Sequence, residues 1–161
     1  MNLKKIIVNF TLIFLLALIT SNCGFKIASN PGQLPFKILE VTDEGEKRIN
    51  YNLKNKINFA SNNKNDNLVK VHLITKKKKS IKEKNIKNEI TKYQLVISTK
   101  VKLNLVSLGQ VKTYEISQQG DYSVNKQYST TLSKEKKLIN LLTEKIGDEI
   151  LEELSKYLNA I

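Results

Sequence analysis

The sequence has few of the residues that build covalent cross-links, metal sites or active sites. Its 161 residues include one cysteine, one histidine, two prolines and no tryptophan. One cysteine excludes an internal disulfide. His72 has no cysteine or paired carboxylates at metal-ligand spacing, so we expect it to be structural or solvent-facing. The sequence also lacks a glycine-rich phosphate loop and a nucleophile motif, so we expect neither an enzyme nor a bound metal or cofactor.

The N-terminus has the pattern of an export signal. A short segment with two lysines precedes an apolar run over residues 6–19, which is shorter than a membrane span usually requires. Cys23 stands just after this run. We predict a bacterial lipoprotein signal peptide over residues 1–22 and attachment of a lipid to the thiol of Cys23.

The residues before Cys23 depart from the usual lipoprotein cleavage motif. Thr20 stands where leucine is usual, and Asn22 stands where glycine, alanine or serine is usual. Two alternatives therefore stay open. Residues 6–22 could remain as an uncleaved signal anchor, or a secretory signal could be cut near Ser21 and leave Cys23 as a free thiol.

The predicted mature chain, residues 23–161, has a length that suits one domain. Its first part, residues 23–35, contains glycine and proline turns and is predicted to be a tether. Without Lys4 and Lys5, 25 basic residues stand against 15 acidic ones. This excess favours anionic partners, which for an exported protein are phospholipid headgroups, lipopolysaccharide phosphates or acidic polymers. Export makes nucleic acid the weaker candidate.

The first half of the domain is predicted to form a strand, a helix and a second strand. Apolar residues 36–41 predict a strand that stops at residues 43–45. Alternating, β-branched residues 68–74 predict the next strand. Between them, residues 46–60 are predicted to form an amphipathic helix from the spacing of Ile49, Leu53, Ile57 and Ala60.

The second half is predicted to form a hairpin of strands and a terminal helix. Over residues 93–105, apolar side chains occupy odd positions and polar ones mainly even positions, which indicates a half-buried strand. A turn at residues 107–110 and a return strand over residues 111–122 complete the hairpin. A helix over residues 133–158, with Ser133 as its N-cap, follows. Its apolar stripe consists of Leu138, Leu141, Leu142, Ile146, Ile150, Leu154 and Leu158.

These elements predict an α+β fold of two layers. A sheet of about four strands, largely antiparallel or mixed, carries both helices on one face in this prediction. The reason is that the apolar stripes of the helices can then cover the apolar face of the strands.

Four short features of the chain, taken in order, resemble one known family. They are Cys23-Gly24-Phe25, Tyr93-Gln94-Leu95 at the start of the long strand, Gly120-Asp121-Tyr122 near the end of the hairpin, and the terminal helix. Over essentially its whole mature length the chain resembles the lipopolysaccharide-assembly lipoproteins of Gram-negative bacteria, the LptE or RlpB type. The resemblance implies a sheet of about four strands with two helices on one face.

The resemblance also implies a function. Such a lipoprotein is anchored in the outer membrane by its N-terminal lipid and faces the periplasm and the lumen of a large β-barrel translocon of the LptD type. It sits there as a plug and helps to deliver lipopolysaccharide to the outer leaflet. Gly24 fits outer-membrane sorting, because aspartate at this position retains enterobacterial lipoproteins in the inner membrane. The implied partners are the barrel protein, lipopolysaccharide and the membrane.

A run of lysines between two predicted strands is the candidate contact for lipopolysaccharide or another anionic lipid. Ammonium groups attract phosphates as point charges. Two lysines on the polar face of the long strand extend the set. The candidate residues are Lys76, Lys77, Lys78, Lys79, Lys82, Lys84, Lys87, Lys100 and Lys102. The alternative is that the run is a solvated, partly disordered loop in a lysine-rich protein.

A second functional hypothesis stays open on the sequence alone. The protein could be a generic cationic periplasmic lipoprotein that binds anionic envelope components or an inner-membrane transport complex without a barrel. Tyr114, Tyr122 and Tyr128 are candidate interface contacts, or else ordinary residues of the sheet.

Overall fold

A four-stranded mixed sheet and two helices make up the residues that the computed structural model describes, 36–62 and 67–159. In chain order they are β1 (Lys37–Gly45), α1 (Lys47–Ala60), β2 (Leu68–Lys84), β3 (Ile90–Leu105), β4 (Gln110–Ser123) and α2 (Tyr128–Asn159). Neither helix in these two ranges has the length and hydropathy of a membrane span.

The predicted N-terminal features lie outside the described residues. They are the signal peptide of residues 1–22, the lipidation site Cys23 and the tether of residues 23–35. All three stay predictions.

The sheet has the strand order β1-β2-β3-β4. β1 pairs with β2 in parallel, and the two later pairs are antiparallel. Parallel neighbours need a crossover connection, and α1 provides it. One buried cluster joins the inward side chains of both helices to one face of the sheet, so both helices pack on that face. The predicted α+β fold, with a mixed four-stranded sheet, is confirmed.

The alternation predicted for β3 is present. Its odd positions from 95 to 105 are buried, whereas its even positions are half-buried or exposed. Thr99 is the one polar residue among these buried odd positions. Its hydroxyl hydrogen-bonds the hydroxyl of Thr75 on β2 at 3.0 Å, so the two buried polar groups satisfy each other.

The two helices bury most of the predicted stripes, and Leu138 of α2 is half-buried against the core. α1 buries Ile49, Leu53, Ile57 and Ala60, and α2 buries Leu142, Ile146, Ile150 and Leu154. Leu141 was expected in the α2 stripe, and this prediction is wrong because the side chain is 52% exposed. The side chain of Leu158 lies outside the description.

The terminal helix begins at Tyr128, so the predicted start at Ser133 is wrong. The carbonyl of Gln127 accepts hydrogen bonds from the N–H groups of Thr130 and Thr131. The hydroxyl of Thr131 also accepts a hydrogen bond from the N–H of Asn125. The chain is therefore already helical when it reaches Ser133, and no cap is needed there.

The lysine run is not a loop. β2 extends through Lys84. Its lysine-rich second half pairs with β3 up to Lys84, which stands opposite Ile90. Backbone pairing with the long neighbouring strand holds this segment extended despite its low content of strand-forming residues. β1 likewise continues through residues 43–45, where the strand was predicted to stop, because its pairing with β2 lasts until Gly45 meets Thr75.

Gly45 is required by the turn from β1 into α1. Its φ is +90°, and a methyl group on its α-carbon would overlap the carbonyl oxygen of Thr75. The same carbonyl accepts a hydrogen bond from the N–H of Glu46 at 3.1 Å, which fixes the turn against β2. Glycine is the residue that tolerates both the positive φ and the close approach.

We expect Gly45→Ala to lower the free energy of unfolding by about 2–3 kcal/mol, since strain and overlap add. Urea unfolding measures the change. Gly109→Ala is the matched control, because Gly109 also has a positive φ, +63°, but has no atom within 4 Å of the added methyl group. Its cost should be about 1 kcal/mol. Equal losses in the two variants would contradict the role given to the Thr75 carbonyl.

Candidate functional site

The candidate site is the face of the sheet that the helices leave uncovered, called here the open face. Residues directly opposite each other in an antiparallel pair share a face. His72 stands opposite Lys102, and Lys76 stands opposite Ser98. The even positions of β2 from 70 to 80 therefore share the open face with the even positions of β3 from 94 to 104.

Four of the predicted lysines lie together on the open face, and we call them the open-face lysines: Lys76, Lys78, Lys100 and Lys102. All four are exposed, and none has a carboxylate within 4.0 Å among the described residues. Glu115 is the register partner of Lys100, yet the two form no ion pair at that limit. The open-face lysines therefore form a cationic line that the fold does not neutralise by direct pairing.

The line is continuous across the two strands. Alternate residues on one strand stand about 7 Å apart, which applies to Lys76 with Lys78 and to Lys100 with Lys102. Lys76 and Lys100 are diagonal neighbours across the pair, a relation that places α-carbons about 7–8 Å apart. Flexible stems let the four ammonium groups converge on one polyanionic ligand.

A shallow depression of about 200 Å³ lies at the Lys102 end of this line. Its polar lining is Glu40, Thr42, Lys70, His72, Lys102 and Asn104. The hydroxyl of Thr42 and Nδ1 of His72 form a hydrogen bond of 2.8 Å, and Nε2 of His72 lies 3.5 Å from Oε1 of Glu44. His72 is thus on the surface, as the solvent-facing expectation had it, but held by two residues of β1. The sequence gives no direct signal for these partners, because they meet through the parallel pairing of β1 with β2.

Lys77 and Lys79 point to the other side of the sheet and are engaged there. Nζ of Lys77 lies 3.2 Å from a carboxylate oxygen of Glu46, and Nζ of Lys79 lies 2.7 Å from one of Glu135. The Lys79 ammonium also lies 4.4 Å from the ring centre of Tyr93, a cation–π distance. Lys77 therefore links the strand to the residue before α1, and Lys79 links it to α2.

The contact between Lys79 and Glu135 is part of a small network. The hydroxyl of Tyr122 donates a hydrogen bond of 2.7 Å to the same carboxylate oxygen of Glu135, and the ring of Tyr122 stacks on Tyr93 at 5.7 Å. Burial alone would raise the pKa of Glu135, but the hydrogen bonds from Lys79 and Tyr122 outweigh it, so that pKa is lowered. The pKa of Lys79 is raised, because these partners outweigh its own partial burial.

The remaining predicted lysines lie toward the turn between β2 and β3. Lys82 pairs with Asp121, and Nζ of Lys84 donates to the side-chain oxygen of Asn88 at 2.9 Å. Lys87 is exposed in the turn itself. The structure therefore divides the nine predicted lysines, and only the open-face lysines form a group without side-chain partners on a common surface.

The three predicted tyrosines have different environments. Tyr122 is buried, and Tyr128 is 74% exposed at the start of α2. The hydroxyl of Tyr114 is buried without a hydrogen-bond partner among the described residues, and burial raises its pKa. Only Tyr128 is thus available as a large surface contact.

Structural comparison relates this arrangement to two solved lipoproteins. The uncharacterized lipoprotein B from Nitrosomonas europaea matches with a TM-score of 0.62 and 17% identity, over 85% of this chain and 94% of the other. The minor lipoprotein from Acinetobacter baumannii matches with a TM-score of 0.54 and 12% identity, over 77% of this chain and 96% of the other. No protein-family model and no curated protein matches the sequence.

We expect Glu135→Gln to lower the free energy of unfolding by about 1 kcal/mol at pH 7, a value reduced for the partial exposure of Lys79. Because the pKa of Glu135 is lower in the folded state, its stabilising effect is full above the ordinary value of 4.5 and is lost as the pH falls through the lowered value. Urea unfolding from pH 7 to pH 3 measures this.

The control for this variant is Glu115→Gln. The carboxylate of Glu115 forms no ion pair among the described residues, so its replacement should leave the free energy of unfolding nearly unchanged. A Glu135→Gln variant as stable as the parent at pH 7 would contradict the network. A difference that did not decrease at all as the pH fell below 4.5 would contradict the assignment of the effect to the ionised carboxylate.

At identities below 20%, the comparisons concern the fold. Both solved proteins are matched over nearly their whole length, 94% and 96%. The chain therefore has the fold of these lipoproteins, an LptE-like fold of the kind predicted from its sequence.

Proposed function

We propose that this protein is an outer-membrane lipoprotein that acts with a β-barrel translocon of the LptD type in the assembly of lipopolysaccharide at the cell surface. It is not an enzyme in this proposal, and its role is to bind and to position. The observation that carries the proposal is the group of open-face lysines, Lys76, Lys78, Lys100 and Lys102, which are exposed on the sheet and form no ion pair within residues 36–62 and 67–159.

The charge of this group supports an anionic ligand. Four lysines whose α-carbons stand about 7–8 Å apart along the line have ammonium groups that repel one another, and the repulsion raises the free energy of the unliganded protein. A ligand with several phosphates relieves it. Lysine is suited to such a ligand because its flexible stem and compact charge adapt to phosphates at varied positions. Lipopolysaccharide is an exported amphiphile with clustered phosphates.

The apolar residues of the open face support an amphiphilic ligand. Ile74 stands opposite Lys100, and Val96 stands opposite Lys78, both half-buried between the lysines. Lysine stems can lie along such aliphatic side chains while their ammonium groups reach an anion. An anionic lipid would meet charge and apolar surface together, whereas a purely polar polyanion would use the charge alone.

The location of the protein is proposed from the sequence at its predicted anchor. Cys23 would carry the lipid, and Gly24 fits sorting to the outer membrane. The domain would then lie on the periplasmic side, where the open face and the turn between β2 and β3 can enter a barrel lumen. The generic cationic lipoprotein without a barrel is the competing outcome.

The test of the ligand uses two variants with the same change in charge. In the first, the four open-face lysines become glutamine. In the second, four exposed helix lysines that have no ion pair become glutamine, namely Lys47, Lys136, Lys137 and Lys145. Binding of the purified full chain to lipopolysaccharide is measured in detergent at low and at high salt.

We expect the open-face variant to bind lipopolysaccharide at least about tenfold more weakly at low salt, since each lysine near an anionic surface contributes on the order of 1 kcal/mol. The helix variant should lose less, although its net charge is the same. High salt should reduce the difference in affinity between the two variants, because it screens the charges. Equal losses of affinity in both variants would mean that net charge alone explains binding, and they would contradict the open face as the binding site.

A further inference from the structure

The turn between β3 and β4 presents aliphatic side chains to solvent. Val106 is 42% exposed, Leu108 is 48% exposed, and Val111 at the start of β4 is 55% exposed. Residues 103–111 contain no charged side chain, although about a quarter of the whole chain is charged. Lys102 and Lys112 flank this segment. The end of the hairpin is therefore an uncharged apolar tip between two cations.

The turn at the opposite end of β3 has a different character. Its Ile86 is fully exposed, but Lys84, Lys87 and Glu89 surround it within three positions. β3 has 16 residues, so the two turns are separated by about 50 Å. The two ends of one strand thus provide a matched comparison between an apolar and a charged tip.

Hydrogen bonds hold the apolar tip in shape. The N–H of Val106 donates to the carbonyl of Leu68 at 2.9 Å, and the N–H of Leu108 donates to the carbonyl of Leu105 at 3.2 Å. The hydroxyl of Tyr157 on α2 donates to the side-chain oxygen of Gln110 at 3.0 Å. The aliphatic side chains are therefore displayed by an ordered turn, and their exposure is built into the fold.

The chain enters the described domain at this same end. Lys37 at the start of β1 stands opposite Leu68, and the next residue of β2, Val69, stands opposite Leu105 at the end of β3. Leu39, 44% exposed, adds a further aliphatic side chain on this side. Cys23 precedes Phe36 by 13 residues in the sequence. The segment that leads from the predicted lipid anchor thus joins the sheet beside the apolar tip.

We propose that the β3–β4 turn inserts its aliphatic side chains into the phospholipid bilayer that holds the lipid on Cys23. Insertion would place Val106 and Leu108 at the boundary between headgroups and acyl chains, about 5–10 Å deep. Lys102 lies about 10 Å behind the turn along β3, where it meets anionic headgroups. Lys112 lies at a similar depth on β4, with its ammonium 4.5 Å from the ring centre of Tyr157 on the helix side of the sheet. This orientation rests on the predicted anchor of the proposed function and shares only Lys102 with the open-face lysines, so bilayer contact of the turn can be measured without lipopolysaccharide.

The test uses the absence of tryptophan from the chain. Leu108→Trp and Ile86→Trp each create a protein with one fluorescent reporter, at the apolar tip or at the charged tip. Val111→Trp is a second reporter at the apolar tip in case Leu108→Trp does not fold. The full chain is purified from membranes, its lipid is verified by mass spectrometry, and it is reconstituted into phosphatidylethanolamine and phosphatidylglycerol vesicles that contain brominated acyl chains.

We expect the tryptophan at position 108 to show a blue-shifted emission, quenching by the brominated chains and protection from aqueous iodide. The tryptophan at position 86 should show the reverse pattern. Quenching by iodide at both positions would overturn the proposal, because the apolar tip would then be in water. Quenching of position 86 by the brominated chains, alone or together with position 108, would also overturn it, because the charged tip would then contact the bilayer.

Discussion

The pairing of β2 with β3 is the interaction on which the rest of the structure depends. It runs from Val69 opposite Leu105 to Lys84 opposite Ile90 and sets which side chains share a face. Slipping this register by one residue would send the buried leucines of β3 to the solvent and the lysines to the core. The apolar face that binds both helices and the cationic open face are therefore two consequences of one register.

The sequence predicts the elements whose patterns are local, and it does not predict features that depend on hydrogen bonds or on partners distant in the chain. The strict alternation of β3 and the stripes of both helices are local patterns, and they predicted the fold class. The lysine-rich half of β2 has no apolar alternation, so only its partner strand makes it a strand. Likewise, the contacts of His72 with Thr42 and Glu44 join residues far apart in sequence. The start of α2 at Tyr128 depends on hydrogen bonds with Gln127 and Asn125, and the apolar stripe of the helix could not predict them.

The division of the lysines connects fold to function. Composition alone treats all nine predicted lysines as equivalent cations. The structure places Lys77 against the residue before α1 and Lys79 against α2, whereas the open-face lysines form no ion pair with any residue that the structure describes. A protein that is stabilised by some lysines and keeps others exposed on one surface can bind an anion without exchanging its internal contacts. This separation fits a binding component better than a protein that is merely basic.

The proposed partnership with a barrel in lipopolysaccharide assembly can be tested by affinity purification of the tagged full chain from detergent-solubilised envelopes of its own host. A high-salt wash removes partners held by net charge alone, and mass spectrometry quantifies what remains against a tagged, unrelated envelope lipoprotein. We expect to recover a large β-barrel protein in an amount nearly equal to that of the tagged lipoprotein. Recovery of the lipoprotein without any barrel protein would contradict it.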